Sequence, residues 1–163
     1  MCCRWSPRLY EFAAGGVRLT QIPLVAAGLL AQPLDFTDCP DLAQTVAVVA
    51  AAQAVPLRLT GLKSLRIKET DRIAALQNEL RKFGGDLVEV SSGVFEVQSN
   101  NFRVAGQEVA TYEDHRMAMA FAPLALRGPL TILEPAVVRK SYPSYWRELA
   151  KVGLGELAPG PVA

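Results

Sequence analysis

Lys68-Glu69-Thr70-Asp71-Arg72 runs directly into Ile73, Leu76, Leu80 and Phe83, an apolar stripe at helical spacing that Gly84-Gly85 brings to a stop. A second stretch follows the same plan. Asp114-His115-Arg116-Met117-Ala118-Met119 opens a stripe of Met117, Phe121 and Leu124, closed by Gly128-Pro129. In both, charged or titratable groups crowd into about one turn at the start of a helix, whereas an ordinary surface helix spreads them along its polar face. Unsatisfied backbone N–H groups and the macrodipole already favour anions at that end. The pair of helix starts therefore predicts a site for an anionic ligand.

Outward from these two helices the chain alternates. Gly16 to Ile22 reads as a strand, with Val17, Leu19 and Gln21 on one side. Pro40 sits where a proline opens a helix, and Leu42, Val46 and Val49 are its expected apolar stripe. Pro56 ends that helix, and Leu57 to Thr60 reads as a short buried strand. Asp86 to Val90 and Val94 to Gln98 flank Ser91-Ser92-Gly93, a hairpin signal. Thr111 is a candidate N-cap, with Asp114 completing a capping-box-like start. Leu130 to Leu133 is a strand, and Pro143 opens a last helix carrying Tyr145, Leu149 and Val152. A helix–strand–helix unit thus occurs twice around a hairpin, which predicts an α/β layered fold with an internal repeat. Residues 1–15 show no periodicity and are expected to form an irregular or truncated start. Residues 16–152 form the folded part. The Gly-, Pro- and Ala-rich residues 153–163 form a flexible tail.

Composition narrows the function classes. The chain has 163 residues, half of them hydrophobic and a fifth charged, enough for one core. A net charge of +1 gives no general field toward nucleic acid or membrane. No apolar run reaches membrane-spanning length, and no signal-peptide pattern follows Arg4 and Arg8. Cys2, Cys3 and Cys39 are an odd set without metal-ligand spacing, so neither a disulfide framework nor a zinc site is expected, and a reducing cytoplasmic setting fits.

The polar residues fall at the four helix starts: Asp41 at the first; Lys68, Glu69 and Arg72 at the second; His115 and Arg116 at the third; Arg139 and Lys140 before the fourth. Each also has a plain reading. Asp41 in a first turn is favourable by the dipole alone. Glu69 and Arg72 are i,i+3 neighbours worth a few tenths of a kcal/mol on a surface. A lone histidine is most often structural, Arg139-Lys140 by itself is a solvated pair, and Met117 and Met119 are packing residues. A cation at a helix N-terminus, however, opposes the dipole, and such a local conflict points to function. In a repeat fold equivalent helix ends point the same way, so the four starts are expected to meet on one rim.

Three of these segments together are similar to signatures of the 5-enolpyruvylshikimate-3-phosphate synthase family: Leu65-Arg66-Ile67-Lys68-Glu69-Thr70-Asp71-Arg72-Ile73, Thr111-Tyr112-Glu113-Asp114-His115-Arg116-Met117-Ala118-Met119 and Lys140-Ser141-Tyr142-Pro143. Pro40-Asp41-Leu42-Ala43-Gln44-Thr45 resembles a fourth. The order is the family's, and the resemblance covers about Phe36 to Val152. The sister UDP-N-acetylglucosamine enolpyruvyl transferases share the fold but are less similar at the Lys68–Arg72 and Asp114–Met117 segments.

The resemblance implies a fold of repeated βαβαββ units in an inside-out α/β barrel lobe, of which this chain carries about two of three repeats. It implies transfer of the enolpyruvyl group of phosphoenolpyruvate to the 5-hydroxyl of shikimate 3-phosphate, with release of phosphate and without a metal or organic cofactor. It assigns Arg72, Arg116, Lys140 and Glu69 to phosphoenolpyruvate, and Asp41, Ser64 and Lys68 to shikimate 3-phosphate. Asp41 is the base toward the 5-hydroxyl and Glu69 the acid–base group at the methylene carbon. His115 supports Glu69 or the phosphate, and Lys140 joins the catalytic set. At Ser64 some members of the family have asparagine. The family's enzymes are much longer, and the chain resembles only their C-terminal part. An isolated chain is therefore expected to lack turnover for want of the other, N-terminal lobe. The alternatives are an anion-binding half-site without catalysis, a relative of the UDP-N-acetylglucosamine enolpyruvyl transferases, and a non-functional fragment.

Overall fold

The computed structural model describes residues 10–13, 16–19, 32–66 and 71–155, with side chains over 32–65 and 71–155. Strand β1 (Tyr10–Ala13) pairs antiparallel with β2 (Gly16–Leu19). The first fifteen residues therefore contain a strand where no regular element is expected from the sequence. Gln21 and Ile22 lie outside the described residues.

The main sheet has four strands in the order β3-β4-β6-β5. Strand β3 (Leu34–Asp35) runs parallel to β4 (Arg58–Thr60), and the helix α1 (Ala43–Ala52) connects them. A short helix α2 (Lys63–Arg66) and a long one, α3 (Arg72–Lys82), then lead to the hairpin of β5 (Gly85–Ser91) and β6 (Val94–Ser99). The parallel strand–helix–strand arrangement occurs again as β7 (Gln107–Val109), α4 (His115–Phe121) and β8 (Leu130–Ile132). A last helix, α5 (Tyr145–Lys151), follows a 3-10 turn at Pro135–Val138. This is an α/β fold. Among the described residues no helix is long and apolar enough to cross a membrane.

The core explains the element choice. Leu59, Leu87, Phe95 and Val97 form the buried face of the sheet. Ile73, Leu76, Leu80 and Phe83 of the α3 stripe are all buried, as the spacing requires. Gly84, at φ +85°, stops that helix, because a side chain there would meet the Asn100 and Asn101 carbonyls. Met117, Phe121 and Leu124 are buried as expected. Helix α4 itself ends at Phe121 and continues as a 3-10 turn over Ala122–Leu126, short of Gly128-Pro129. A smaller cluster of Ala118, Ala122, Val138 and Tyr145 seats α5 against α4. Tyr145 belongs to that cluster, but Val152 lies beyond the helix and is exposed.

The face of α1 is the main correction. Leu42 and Val49 are 56% and 48% exposed, while Ala43, Gln44, Ala47, Val48, Ala50 and Ala51 are buried. Two causes combine. Pro40–Leu42 is a 3-10 turn, so its tighter winding puts Leu42 out of phase with the helix that follows. The alanines, in turn, let α1 approach both the sheet and α4 closely, so the small side chains mark the inner face. We expect Leu80→Ala to cost about 2–5 kcal/mol and Leu42→Ser to stay within about 0.5 kcal/mol in urea unfolding. Equal losses would show that the face assignment of α1 is wrong.

Candidate functional site

The starts of α3 and α4 carry the charges, and their own side chains satisfy the free backbone groups. Asp71 caps α3, its Oδ1 accepting from the Ile73 and Ala74 N–H groups at 3.0 and 3.1 Å. Asp114, not Thr111, caps α4, accepting from the Arg116 N–H at 2.9 Å. Such caps are worth about 1 kcal/mol each. The Thr111 hydroxyl turns instead to Glu134 at 3.1 Å. With those N–H groups occupied, side chains are left to supply most of the donors for an anion here.

Two arginines provide them. Arg72 Nε lies 3.0 Å from Asp114 Oδ2, and Arg116 Nη1 lies 3.3 Å from Asp114 Oδ1. Asp41, delivered by the turn before α1, faces the same two guanidinium groups, 3.0 Å from Arg116 Nη2 and 3.7 Å from Arg72 Nη1. The two carboxylates differ in setting: the Asp114 side chain is 6% exposed and that of Asp41 50%. Gln44, fully buried on α1, adds a weak hydrogen bond from Nε2 to Asp114 Oδ2 at 3.4 Å. Two polar atoms of the cluster, Arg72 Nη1 and Gln44 Oε1, are buried without a hydrogen bond among the described residues. Orphaned groups of this kind call for an explanation, and an absent ligand is one.

The backbone leading to Asp114 is strained. Tyr112 and Glu113 have φ of +53° and +58°, two successive left-handed residues that are not glycine. Each costs on the order of 1–3 kcal/mol and persists only where neighbours hold it. The Tyr112 hydroxyl donates to Glu79 Oε1 at 2.9 Å. Burial first, and then the Glu79 carboxylate, raises the Tyr112 phenol above the ordinary tyrosine value.

The family model described as EPSP synthase (3-phosphoshikimate 1-carboxyvinyltransferase) matches residues 17–149. The chain belongs to this family. A 3-phosphoshikimate 1-carboxyvinyltransferase of Bacteroides fragilis strain YCH46 is 46% identical over 149 residues, 89% of this chain and 35% of the relative. One from Methanospirillum hungatei is 43% identical over 120 residues, 73% of this chain and 27% of the relative. A solved EPSP synthase from Acinetobacter baumannii superposes with a TM-score of 0.58 at 30% identity, covering 71% of this chain and 27% of that one. The chain spans about a third of the length of the Bacteroides relative.

Of the family positions expected from the sequence, the fold brings Asp41, Arg72 and Arg116 into contact. His115 is beside them, but its Nδ1 is 3.9 Å from Asp114 Oδ1, too far for a hydrogen bond. Ser64 is exposed on α2. Lys140 is exposed after the Pro135–Val138 turn and pairs with no carboxylate among the described residues. Lys68 and Glu69 lie outside the described residues. Sequence reasoning gave Asp114 only a capping role and missed Gln44 and Glu79. Glu79 did leave a signal, since it is a charged residue one position from Leu80 on the buried stripe of α3.

Two predictions follow the two carboxylates and the phenol. Asp114→Asn leaves Arg72 and Arg116 without their buried partner and is expected to cost about 2–4 kcal/mol in urea unfolding. Asp41→Asn, half exposed, stays within about 1 kcal/mol. For Tyr112, the folded-state value lies above the ordinary 10.0, so the stability its neutral hydroxyl contributes is complete below that pH and lost as pH rises through the folded value. The stability gap between the wild type and Tyr112→Phe is therefore constant at neutral pH and closes above about pH 10. A gap that widens there would contradict the assignment.

Proposed function

We propose that this chain supplies one half of a site that transfers the enolpyruvyl (carboxyvinyl) group of phosphoenolpyruvate to the 5-hydroxyl of shikimate 3-phosphate. The observation that carries the reading is the buried Arg72 Nη1, without a hydrogen bond among the described residues, next to Arg116 and opposite the half-exposed Asp41. A carboxylate or phosphate placed there completes both guanidinium groups, and arginine suits such planar, bidentate contact. Family membership supports phosphoenolpyruvate as that anion.

The proposed chemistry uses the family positions in turn. Arg72, Arg116 and Lys140 hold phosphoenolpyruvate, while Lys68, Ser64 and Asp41 hold shikimate 3-phosphate. Glu69 protonates the methylene carbon, which leaves a cation-like centre at the adjacent carbon. Asp41 takes the proton of the 5-hydroxyl as its oxygen attacks that centre, giving a tetrahedral intermediate. Glu69 then recovers a proton from the methyl group, the double bond re-forms and phosphate leaves. His115 steadies Glu69 or the phosphate. The reaction needs no metal or organic cofactor. The proposed setting is the cytoplasm, since multiply charged substrates do not cross membranes unaided.

The finer fold belongs to the same proposal. β3-α1-β4-α3-β5-β6 is one βαβαββ unit, and β7-α4-β8-α5 begins a second, within residues 16–152, of a three-unit lobe built as an inside-out α/β barrel. The Bacteroides relative is about three times as long as the stretch matched here, which fits a second lobe that supplies the rest of the site. These 163 residues alone are expected to bind phosphoenolpyruvate weakly and to release no phosphate when both substrates are added.

Asp41 gives a sharper test, because it occupies the arginine edges that the anion needs. Titration calorimetry should find phosphoenolpyruvate binding lost in Arg116→Ala but strengthened about two- to fivefold in Asp41→Asn, which removes a competing surface ion pair. Unchanged affinity in Arg116→Ala, or phosphate release at an ordinary enzymatic rate by these residues alone, would overturn the half-site reading.

A further inference from the structure

Arg72 and Glu79 are seven residues apart on α3, two turns along the same face. Both face the segment that joins β7 to α4. Arg72 reaches Asp114 at 3.0 Å. Glu79, fully buried, accepts from the Ala110 N–H at 3.2 Å and the Lys82 ammonium at 2.7 Å through Oε2, and from the Tyr112 hydroxyl at 2.9 Å through Oε1. Helix α3 therefore grips residues 110–114 at both ends, with the left-handed Tyr112 and Glu113 between the two grips. From the other side, Thr111 is buried and bonded to Glu134.

A buried carboxylate is retained only when its oxygens are occupied, and this one is occupied three times. Packing alone does not need it there, since the neighbouring Leu76 and Leu80 already seal α3 to the core. What Glu79 adds is a fixed separation between the helix and the strained residues that carry Asp114. Asp114 in turn sets the separation of the two guanidinium groups.

We propose that Glu79 and Tyr112 form a positioning clamp that tunes the spacing of Arg72 and Arg116, and with it the site's affinity for a small dianion, without touching the ligand. The ligand part of this inference rests on the proposed phosphoenolpyruvate site; the geometric part stands without it. Tyr112→Phe is the informative variant. It keeps the ring and leaves Glu79 two of its three donors, but it removes the bond that holds the left-handed residues to α3.

The test compares the 163-residue wild type, Tyr112→Phe and the buried-sheet control Val97→Ala. It reads the nitrogen–proton NMR signals of the Arg72 and Arg116 Nε–H groups, assigned through the lysine variants, and then phosphoenolpyruvate affinity. Tyr112→Phe is expected to move both arginine signals and to weaken phosphoenolpyruvate binding about three- to tenfold, the worth of one hydrogen bond. Val97→Ala lowers stability but moves neither. Arginine signals unchanged in Tyr112→Phe, or moved equally by Val97→Ala, would overturn the clamp. If Tyr112→Phe does not fold, Glu79→Gln is read in the same way, as it keeps the shape and one acceptor. A wild type that binds no phosphoenolpyruvate sinks the proposed function alone, and the arginine signals still decide the clamp.

Discussion

The architecture around the site depends on one buried carboxylate. Asp114 forms an ion pair with Arg72, accepts from the side chain and backbone of Arg116, and accepts weakly from Gln44. These donors come from three helices, α3, α4 and α1. Without Asp114, two guanidinium groups would face each other in a partly desolvated corner, where like charges repel far more than in water. With it, their repulsion is offset and their planes are fixed. The same carboxylate caps α4, so the helix cannot shift relative to the arginine pair without losing its first turn.

That arrangement requires the three helices to stand close, and the sequence supplies the means in the alanines of α1. Ala43, Ala47, Ala50 and Ala51 are buried against the sheet and α4. Gly85 adds to this, since a Cβ there would lie 3.2 Å from that of Ala51. Larger side chains on this face would hold α1 away, and Gln44 and Asp41 would then no longer reach the arginines. Packing and site geometry are thus one constraint. The small residues bring the helix in, and its first turn delivers the polar groups.

These considerations decide what could be read from the chain. The α3 stripe, the β5–β6 hairpin and the cationic helix starts were legible because each has a strong local signature: leucine and isoleucine at helical spacing, a Ser-Ser-Gly turn, and charge placed against a dipole. The inner face of α1 was not legible, because alanine is weakly apolar and valine strongly so, and Leu42 and Val49 of the expected stripe lie on the exposed side. Strand β3 has two residues, too few for any alternation to register, and β7 is Gln107-Glu108-Val109, whose single apolar residue gives no strand signal. Asp114 illustrates a deeper limit. An aspartate at a helix start is fully accounted for by capping, so nothing in its neighbourhood shows that it also holds two arginines, one of them 42 residues away along the chain at Arg72.

The cluster of Asp41, Asp114, Arg72 and Arg116 is formally neutral, two carboxylates against two guanidinium groups. An anion entering it therefore does not meet a bare positive field. In the proposed half-site it exchanges with Asp41, the more exposed of the two carboxylates, while the buried Asp114 stays in place. Affinity is then a difference between two ion-pair sets rather than the strength of one, which keeps binding modest and makes it sensitive to where Asp41 goes. An Asp41 turned away from the arginines is a carboxylate without its cations, placed beside the newly bound anion, and a hydroxyl group is the partner that best satisfies it there. On the proposed reading, the displacement that admits the first ligand also leaves Asp41 placed to accept from the hydroxyl of the second.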